Sequence, residues 1–283
     1  MADRLLLCSD LDRTLLPNGR WPESPEARPR LRAFAARPET AIAYVSGRHE
    51  ALLHAAIAEY GLPEPDFAIG DVGTTIYRIE SGAWTPWQAW HDHIAPDWAG
   101  HDRDTIAAAL ADLPGLTPQE AAKQNTFKCS WYAPVDTDRD ALLARVRERL
   151  EPLGVRASLI WSIDEAADTG LLDILPERAT KRHAVEFLVD RLGLARESTV
   201  FAGDSGNDLP VFDSGLEAVL VRNAAEDVRA EAHERVTTAG HPERLYIAAG
   251  DFLGMNGYYA AGVLEGVAHF HPRAAEWMAL PGE

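Results

Sequence analysis

Leu5-Leu6-Leu7-Cys8 is an unbroken apolar run that ends in Asp10-Leu11-Asp12-Arg13-Thr14. A strand with one wet face alternates apolar and polar residues, so an unbroken run predicts a strand buried on both faces, inside a parallel sheet. The pattern recurs. Thr40–Val45 ends in Ser46-Gly47-Arg48 ahead of a helix-like stretch at Glu50–Tyr60. Residues 171 to 176 are strand-like and lead to Lys181, which opens a helical stretch reaching Leu192. Residues 199 to 202 end in Gly203-Asp204-Ser205-Gly206-Asn207-Asp208. Buried strands alternating with helices predict an α/β fold whose ligands bind at the carboxyl ends of a parallel sheet.

The residues at those ends are the ones phosphoryl chemistry needs. Asp10 and Asp12 would point to opposite faces of a continuing strand, so the chain must turn there, and Thr14, Pro17, Asn18 and Gly19 suit a turn. A carboxylate nucleophile forms an aspartyl-phosphate and needs an acid for the leaving oxygen and a base for water, which suits Asp10 as nucleophile and Asp12 as acid/base. A serine hydroxyl and amides near a glycine, just before a helix, can hold a phosphoryl oxygen. Lys181 in a first helical turn opposes the helix dipole unless negative charge lies nearby. The turn 203 to 208 offers hard oxygen ligands of the kind magnesium prefers. Singly, each motif has a plain structural alternative: a loop start, a helix N-cap, a solvated basic face, a capping turn. The ordered set of four selects the phosphate reading.

That set resembles the four motifs of the haloacid dehalogenase (HAD) superfamily of phosphatases, and more narrowly the bacterial and plant sucrose-phosphate phosphatases. The narrower likeness is carried by Gly70-Asp71-Val72-Gly73-Thr74-Thr75-Ile76-Tyr77, Gln124-Asn125-Thr126-Phe127-Lys128, Ala179-Thr180-Lys181 and Val221-Arg222-Asn223-Ala224, and it runs through nearly the whole chain. The resemblance implies a Rossmann-like core with an inserted α+β cap of type IIB, and a Mg2+ cofactor. It implies that Asp10 attacks phosphorus and that Asp12 protonates the leaving sugar hydroxyl. Metal would lie among the Asp10 carboxylate, the Asp12 carbonyl and Asp204, with Asp208 holding a metal-bound water or Lys181. Thr14, Ser46, Gly47, Arg48 and Lys181 would bind phosphate. Gln124, Asn125, Lys128 and Asn207 would meet the sugar.

The gap between Arg48 and Lys181 is far longer than one crossover needs, which predicts an insertion. The expected division is core 1–81, cap 82–173 and core 174–283, with hinges near Ser81 and Asp173. Within the cap, 103–113 and 137–153 read as helices, and 126–133 and 155–163 as strands. Trp131 and Tyr132 could lie against a sugar ring or belong to the core. Trp84, Trp87, Trp90 and Trp98 read as packing near the hinge, or as an exposed patch for a dimer contact. Residues 22 to 38, with four prolines, leave room for a short helix near 30–36. Arg13 and the segment 255 to 259 depart from the family pattern.

A formal charge of −17, from 44 acidic and 27 basic residues, argues against nucleic acid or an anionic membrane as partner. No apolar run approaches a membrane span, and Asp10 interrupts the first hydrophobic run, so no signal sequence is expected. Two cysteines, Cys8 and Cys129, predict no disulfide framework and a cytoplasmic protein. The leading expectation is a phosphatase for sucrose 6-phosphate. The same chemistry on mannosylfructose phosphate or glucosylglycerol phosphate is the second, and a non-catalytic sugar-phosphate-binding scaffold beside a glycosyltransferase is the third.

Overall fold

The computed structural model describes residues 4–164 and 167–282. Its strands are β1 (Leu5–Asp10), β2 (Thr40–Val45), β3 (Phe67–Gly70), β4 (Thr75–Glu80), β5 (Ala83–Pro86), β6 (Thr117–Pro118), β7 (Cys129–Pro134), β8 (Ala157–Asp164), β9 (Thr169–Pro176), β10 (Thr199–Gly203), β11 (Glu217–Leu220) and β12 (Leu245–Ile247). They form an eight-stranded sheet in the order β12-β11-β10-β1-β2-β3-β4-β5 and a four-stranded sheet in the order β6-β7-β9-β8. The chain divides into two compact units, residues 1–86 with 181–283, and residues 87–180.

In the larger unit the strands from β12 to β3 are all parallel, and β4 and β5 add an antiparallel edge. Every residue of β1, β2 and β10 is buried, which explains their unbroken apolar sequences. Leu7, Ile42 and Val200 join Leu31 and Phe34 of the helix Ala27–Ala35, and Val263, Leu264 and Val267 of the helix Ala260–Phe270, in one core. Each leucine fully buried there contributes about 1.5–3 kcal/mol. The helix Ala27–Ala35 starts three residues before the expected 30, because Pro29 falls in its first turn, where no intrahelical amide bond is lost. At Gly266 an added Cβ would come within 2.2 Å of Val219, so the C-terminal helix lies on β11 at a distance only glycine permits.

The smaller unit is an antiparallel sheet with helices Arg103–Leu110 and Arg139–Leu150 on one face. Strand alternation sends Cys129, Trp131 and Ala133 of β7 and Leu172 and Ile174 of β9 toward Ile106, Leu110, Leu142 and Val146. Ser130, Tyr132 and Asp173 take the helix-free face. Buried Asp97 fastens two ends of this unit: Arg178 donates to its carboxylate from Nε and Nη2 at 2.9–3.1 Å, and Arg156 pairs with it and donates its amide to the Asp97 carbonyl at 2.7 Å.

The observed boundaries differ from 82 and 173, and Ser81 and Asp173 are not placed as hinges. Ser81 stands at φ 53° in the tight turn joining β4 to β5, and Arg78, Ile79 and Glu80 pair across that turn. Asp173 is mid-strand, opposite Ser130 and Ile160. The joining segments are 86–87 and 180–181. Trp90 and Trp98 are fully buried and Trp84 and Trp87 half-buried, so the four make no exposed patch. Cys8 and Cys129 are free and buried.

Candidate active site

Strand order reverses between β1 and β10. From β1 the chain builds outward through β2 and β3, while β10, β11 and β12 fill the other side. Such a switch point opens a crevice at the carboxyl ends of the strands. Asp10 ends β1, Ser46 follows β2 and Asp204 follows β10. The turn after β1 is closed by the amides of Thr14, Leu15 and Leu16 donating to the Leu11 carbonyl, with Arg13 at φ 60°. This turn separates the two aspartates. Asp10 faces Lys181, and Asp12 faces Arg48.

Lys181 Nζ donates to Asp10 Oδ1 at 2.6 Å and to Asp208 Oδ1 at 2.8 Å, with all three side chains at most 9% exposed. The carboxylates thus supply the negative charge that a lysine at a helix start requires. Burial alone would lower the Lys181 ammonium, but Asp208 and Asp10 outweigh it and hold it above its usual value. Thr14 Oγ1 donates to Asp10 Oδ2 at 3.2 Å and lies 3.5 Å from Asp204 Oδ1. Asp208 Oδ2 accepts the amides of Asp204 and Ser205 at 3.2 and 3.3 Å, which folds the turn after β10 back on itself. Asn207 Oδ1 accepts from Ser205 Oγ at 2.9 Å and from Lys181 at 3.4 Å.

Asp12 is gripped in a different way. Arg48 Nε and Nη2 fork onto its two oxygens at 2.9 and 2.6 Å, and Asn18 Nδ2 adds a third bond at 2.7 Å. Partial burial raises the carboxyl, but these partners win and hold it below the usual range. Ser46 does not cap the following helix, whose N-cap is His49. Its Oγ accepts the Arg48 amide at 3.2 Å, which leaves the hydroxyl proton free to donate. The loop from Asp71 to Gly73 beside it runs at positive φ throughout, at about 1–3 kcal/mol for each non-glycine residue. Asp71 N donating to Arg48 O at 2.9 Å helps to hold it.

Asp10, Asp204 and Asp208 each bring an oxygen to within 4.8 Å of the others. Three buried carboxylates outnumber one ammonium. The excess shows in Asp10, pushed up by burial against the pull of Lys181, and in Asp204, pushed up by burial to about 6 against the pull of Arg13. An oxygen-only donor set with surplus negative charge fits a hard divalent cation.

In the smaller unit the expected sugar-facing residues are tied into the turn before β7. Gln124 Oε1 accepts Ser130 N at 2.7 Å, and its Nε2 donates to the carbonyls of Gln119 and Ser130 at 3.1 and 2.8 Å. Asn125 Oδ1 accepts Phe127 N at 2.8 Å. Lys128 Nζ lies 3.5 Å from Asp173 on the helix-free face. Trp131 is core, 2% exposed, so it is no sugar wall. Tyr132 carries Lys123 and Glu120 on its hydroxyl, each at 2.7 Å. Sequence reasoning missed Asn18 as the second partner of Asp12 and the 3.3 Å pair between Arg13 Nε and Asp204 Oδ2. It also missed Asn223, whose Nδ2 holds the Arg13 carbonyl at 2.6 Å. The only available signal was membership of Asn18 and Asn223 in turn-like motifs.

The sequence profile of the sucrose-6F-phosphate phosphohydrolase family matches residues 3–271. The chain belongs to this family. It is therefore a phosphoric monoester hydrolase with a HAD-type fold. Over 278 residues, 98% of this chain and 75% of the other, it is 55% identical to a Nitrosococcus oceani protein named only as a HAD-like hydrolase, with no substrate. A mannosylfructose-phosphate phosphatase of Agrobacterium fabrum is 30% identical over 81% of this chain and 87% of its own length. The solved sucrose-phosphatase of Synechocystis sp. PCC6803, in complex with sucrose and phosphate, superposes with a TM-score of 0.69 at 28% identity, covering 94% of this chain and 98% of that one. The tobacco sucrose-phosphatases are longer, and the chain spans 60% of one and 52% of another.

Proposed function

We propose that this family member is a Mg2+-dependent phosphatase of the cytoplasm that hydrolyses a disaccharide phosphate, sucrose 6-phosphate first. The reading rests above all on the convergence of Asp10, Lys181, Asp204 and Asp208 from distant parts of the sequence onto one buried cluster. Asp10, Asp204 and Asp208 would hold the cation, with the Asp12 carbonyl; when bound, it offsets the repulsion between Asp10 and a dianionic phosphate.

In this mechanism Lys181 fixes Oδ1 of Asp10 and leaves Oδ2 to attack phosphorus, giving an aspartyl-phosphate and releasing the sugar hydroxylate. Ser46 Oγ, the Gly47 amide, Thr14 and Lys181 would steady the phosphoryl oxygens, with the Arg48 amide orienting the Ser46 hydroxyl, which is most of what phosphoryl transfer requires. Asp12 protonates the leaving oxygen, then deprotonates the water that opens the intermediate. Arg48 keeps Asp12 ionised, so Arg48 must move off it for Asp12 to carry a proton. Lys128, Asp173 and Ser130 are polar groups on the helix-free face of the smaller unit, with Gln124 and Asn125 shaping the turn beside them, and Asn207 in the turn after β10 is the group of the larger unit that would meet the sugar.

Mannosylfructose phosphate is the second substrate reading, favoured by the Agrobacterium relative. Supply of the phosphorylated sugar by an associated glycosyltransferase completes the proposal, and co-sedimentation would test it. The main test is phosphate release with Mg2+ from sucrose 6-phosphate, mannosylfructose phosphate, glucosylglycerol phosphate, trehalose 6-phosphate and hexose phosphates. A marked preference for sucrose 6-phosphate is expected. Equal, low turnover of all would refute the disaccharide assignment, and Mg2+-dependent release surviving in Asp10→Asn would refute the nucleophile.

A further inference from the structure

The segments around Arg13 and Tyr258 come together in the larger unit. They line an open pocket of about 580 Å³ with Arg20, Trp21, Arg222 and Arg229. Four guanidinium groups around one concavity are unexpected in a chain of net charge −17. Among the described residues, neither Arg20 nor Arg222 has a carboxylate within ion-pair distance. Arg229 pairs with exposed Glu226, which also lines the pocket, at 3.7 Å, and donates Nη2 to the Arg222 carbonyl, while its buried Nε has no hydrogen-bond partner among the described residues. Arg13 reaches Asp204 at 3.3 Å while 58% of its side chain stays exposed.

The walls are fixed in advance. Trp21 and Tyr258 stack at 5.2 Å and 6°, Arg20 lies 4.7 Å from the Trp21 ring centre, and Arg222 lies 5.2 Å from that of Tyr258. A guanidinium held against an aromatic face turns its edge donors outward; Arg222 uses Nη1 on the Asn256 carbonyl at 3.0 Å and keeps the rest of its edge for an oxyanion. Asn223 bonds both the Arg13 carbonyl, at 2.6 Å, and the Tyr259 amide, at 3.0 Å, joining the two sides. Donors arriving from four points of the chain suit a tetrahedral group with three peripheral oxygens better than a flat carboxylate. The volume suits a small molecule.

We propose that this pocket binds a small phosphorylated molecule, at a site separate from the catalytic carboxylates. Inorganic phosphate and a sugar phosphate share the chemistry it recognises. Arg13, shared between pocket and Asp204, makes such a ligand a competitor for a partner of the catalytic cluster.

The test is calorimetric titration of inorganic phosphate, glucose 6-phosphate and citrate into the full chain in excess chelator, where turnover is absent. The parent is compared with Lys181→Met, which removes the catalytic phosphate ligand, and with Arg20→Ala/Arg222→Gln. One phosphate site should persist in Lys181→Met and weaken at least about tenfold in the arginine variant, since each charge-assisted hydrogen bond is worth about that factor. Tighter binding of glucose 6-phosphate than of phosphate would assign the site to a sugar phosphate, and the reverse order to free phosphate. Among the described residues exposed Arg20 makes no hydrogen bond, so Arg20→Ala alone, melting like the parent and binding more weakly, separates lost contacts from lost folding. Binding that vanishes in Lys181→Met but survives the arginine changes would overturn the proposal. So would preference for citrate, or no binding of either phosphate.

Discussion

Replacing Gly203 by alanine tests how tightly the turn after β10 is built. A methyl group there would stand 2.6 Å from Asp208 Cγ and Oδ2 and 2.7 Å from its Cβ. Asp208 cannot step aside freely. It is fully buried, Oδ1 is on Lys181 at 2.8 Å, and Oδ2 takes the amides of Asp204 and Ser205. Overpacking of this kind costs about 1–3 kcal/mol. Loss of one partner from a buried ion pair costs about 3–5 kcal/mol, a ceiling here because Lys181 keeps Asp10. A net loss of about 2–4 kcal/mol follows, which lowers Tm by roughly 5–15 °C for a domain of this size. Since Asp208 positions Lys181, and Lys181 positions Asp10, kcat/KM should fall about 100-fold, as for a misplacement near 1 Å. Scanning calorimetry and phosphate release on the same samples measure both. Gly206→Ala, in the same turn, is the control, because its nearest neighbour would be Leu209 Cδ1 at 4.0 Å. If the two variants behave alike, or if Gly203→Ala melts and turns over like the parent, the steric argument is wrong.

Lys181→Met leaves Asp10 and Asp208 buried without their cation, so stability in chelator should drop by about 3–5 kcal/mol and Mg2+ should recover part of it; denaturation curves unaffected by Mg2+ would contradict that. Chelation of the parent should abolish phosphate release and Mg2+ restore it, with Ca2+ a poorer substitute because of its larger, looser shell; full activity in excess chelator would rule out the cation. Asp97, although buried, is held below the usual carboxylate range by Arg178 and Arg156. A depressed folded value means that its contribution is complete above the unfolded value of about 3.9 and is lost as pH falls through the folded value. The stability gap between parent and Asp97→Asn, measured by denaturant titration, should therefore be level near neutrality and shrink in acid; a constant gap would refute the ion-pair account.

The sheet and the convergence of Asp10, Lys181, Asp204 and Asp208 were legible because both depend on local pattern. The run Leu5 to Cys8 is apolar because β1 is covered on both faces, and Asp10, Ser46 and Asp204 stand where those runs stop. The boundary of the inserted unit was harder to read. Residues 83 to 86 have no run of their own and become a strand only by pairing with β4, while Asp173, polar in sequence, is mid-strand because alternation sends it away from the core. Gln124 looks like a sugar-reading amide. In the fold its donors and acceptor are taken by Gln119 and Ser130, neither of which its own sequence context marks as a partner. Partners such as Arg13 with Asp204 lie far apart in the chain, and no periodicity encodes them.

The position of β1 also bears on how the chain reaches its native state. Leu6 pairs with Ala41 on one side and with Thr199 on the other. During synthesis the first neighbour is available early, but the second edge of this fully buried strand stays open until the smaller unit has been made. Closing so long a loop is slow, and an unpaired apolar edge is the kind of surface that recruits other chains. Fragments ending before β10 should therefore aggregate, and refolding of the full chain should be limited by formation of the β1–β10 pair. Asp10 and Asp204 meet only in that step, so regain of activity should follow the slowest refolding phase.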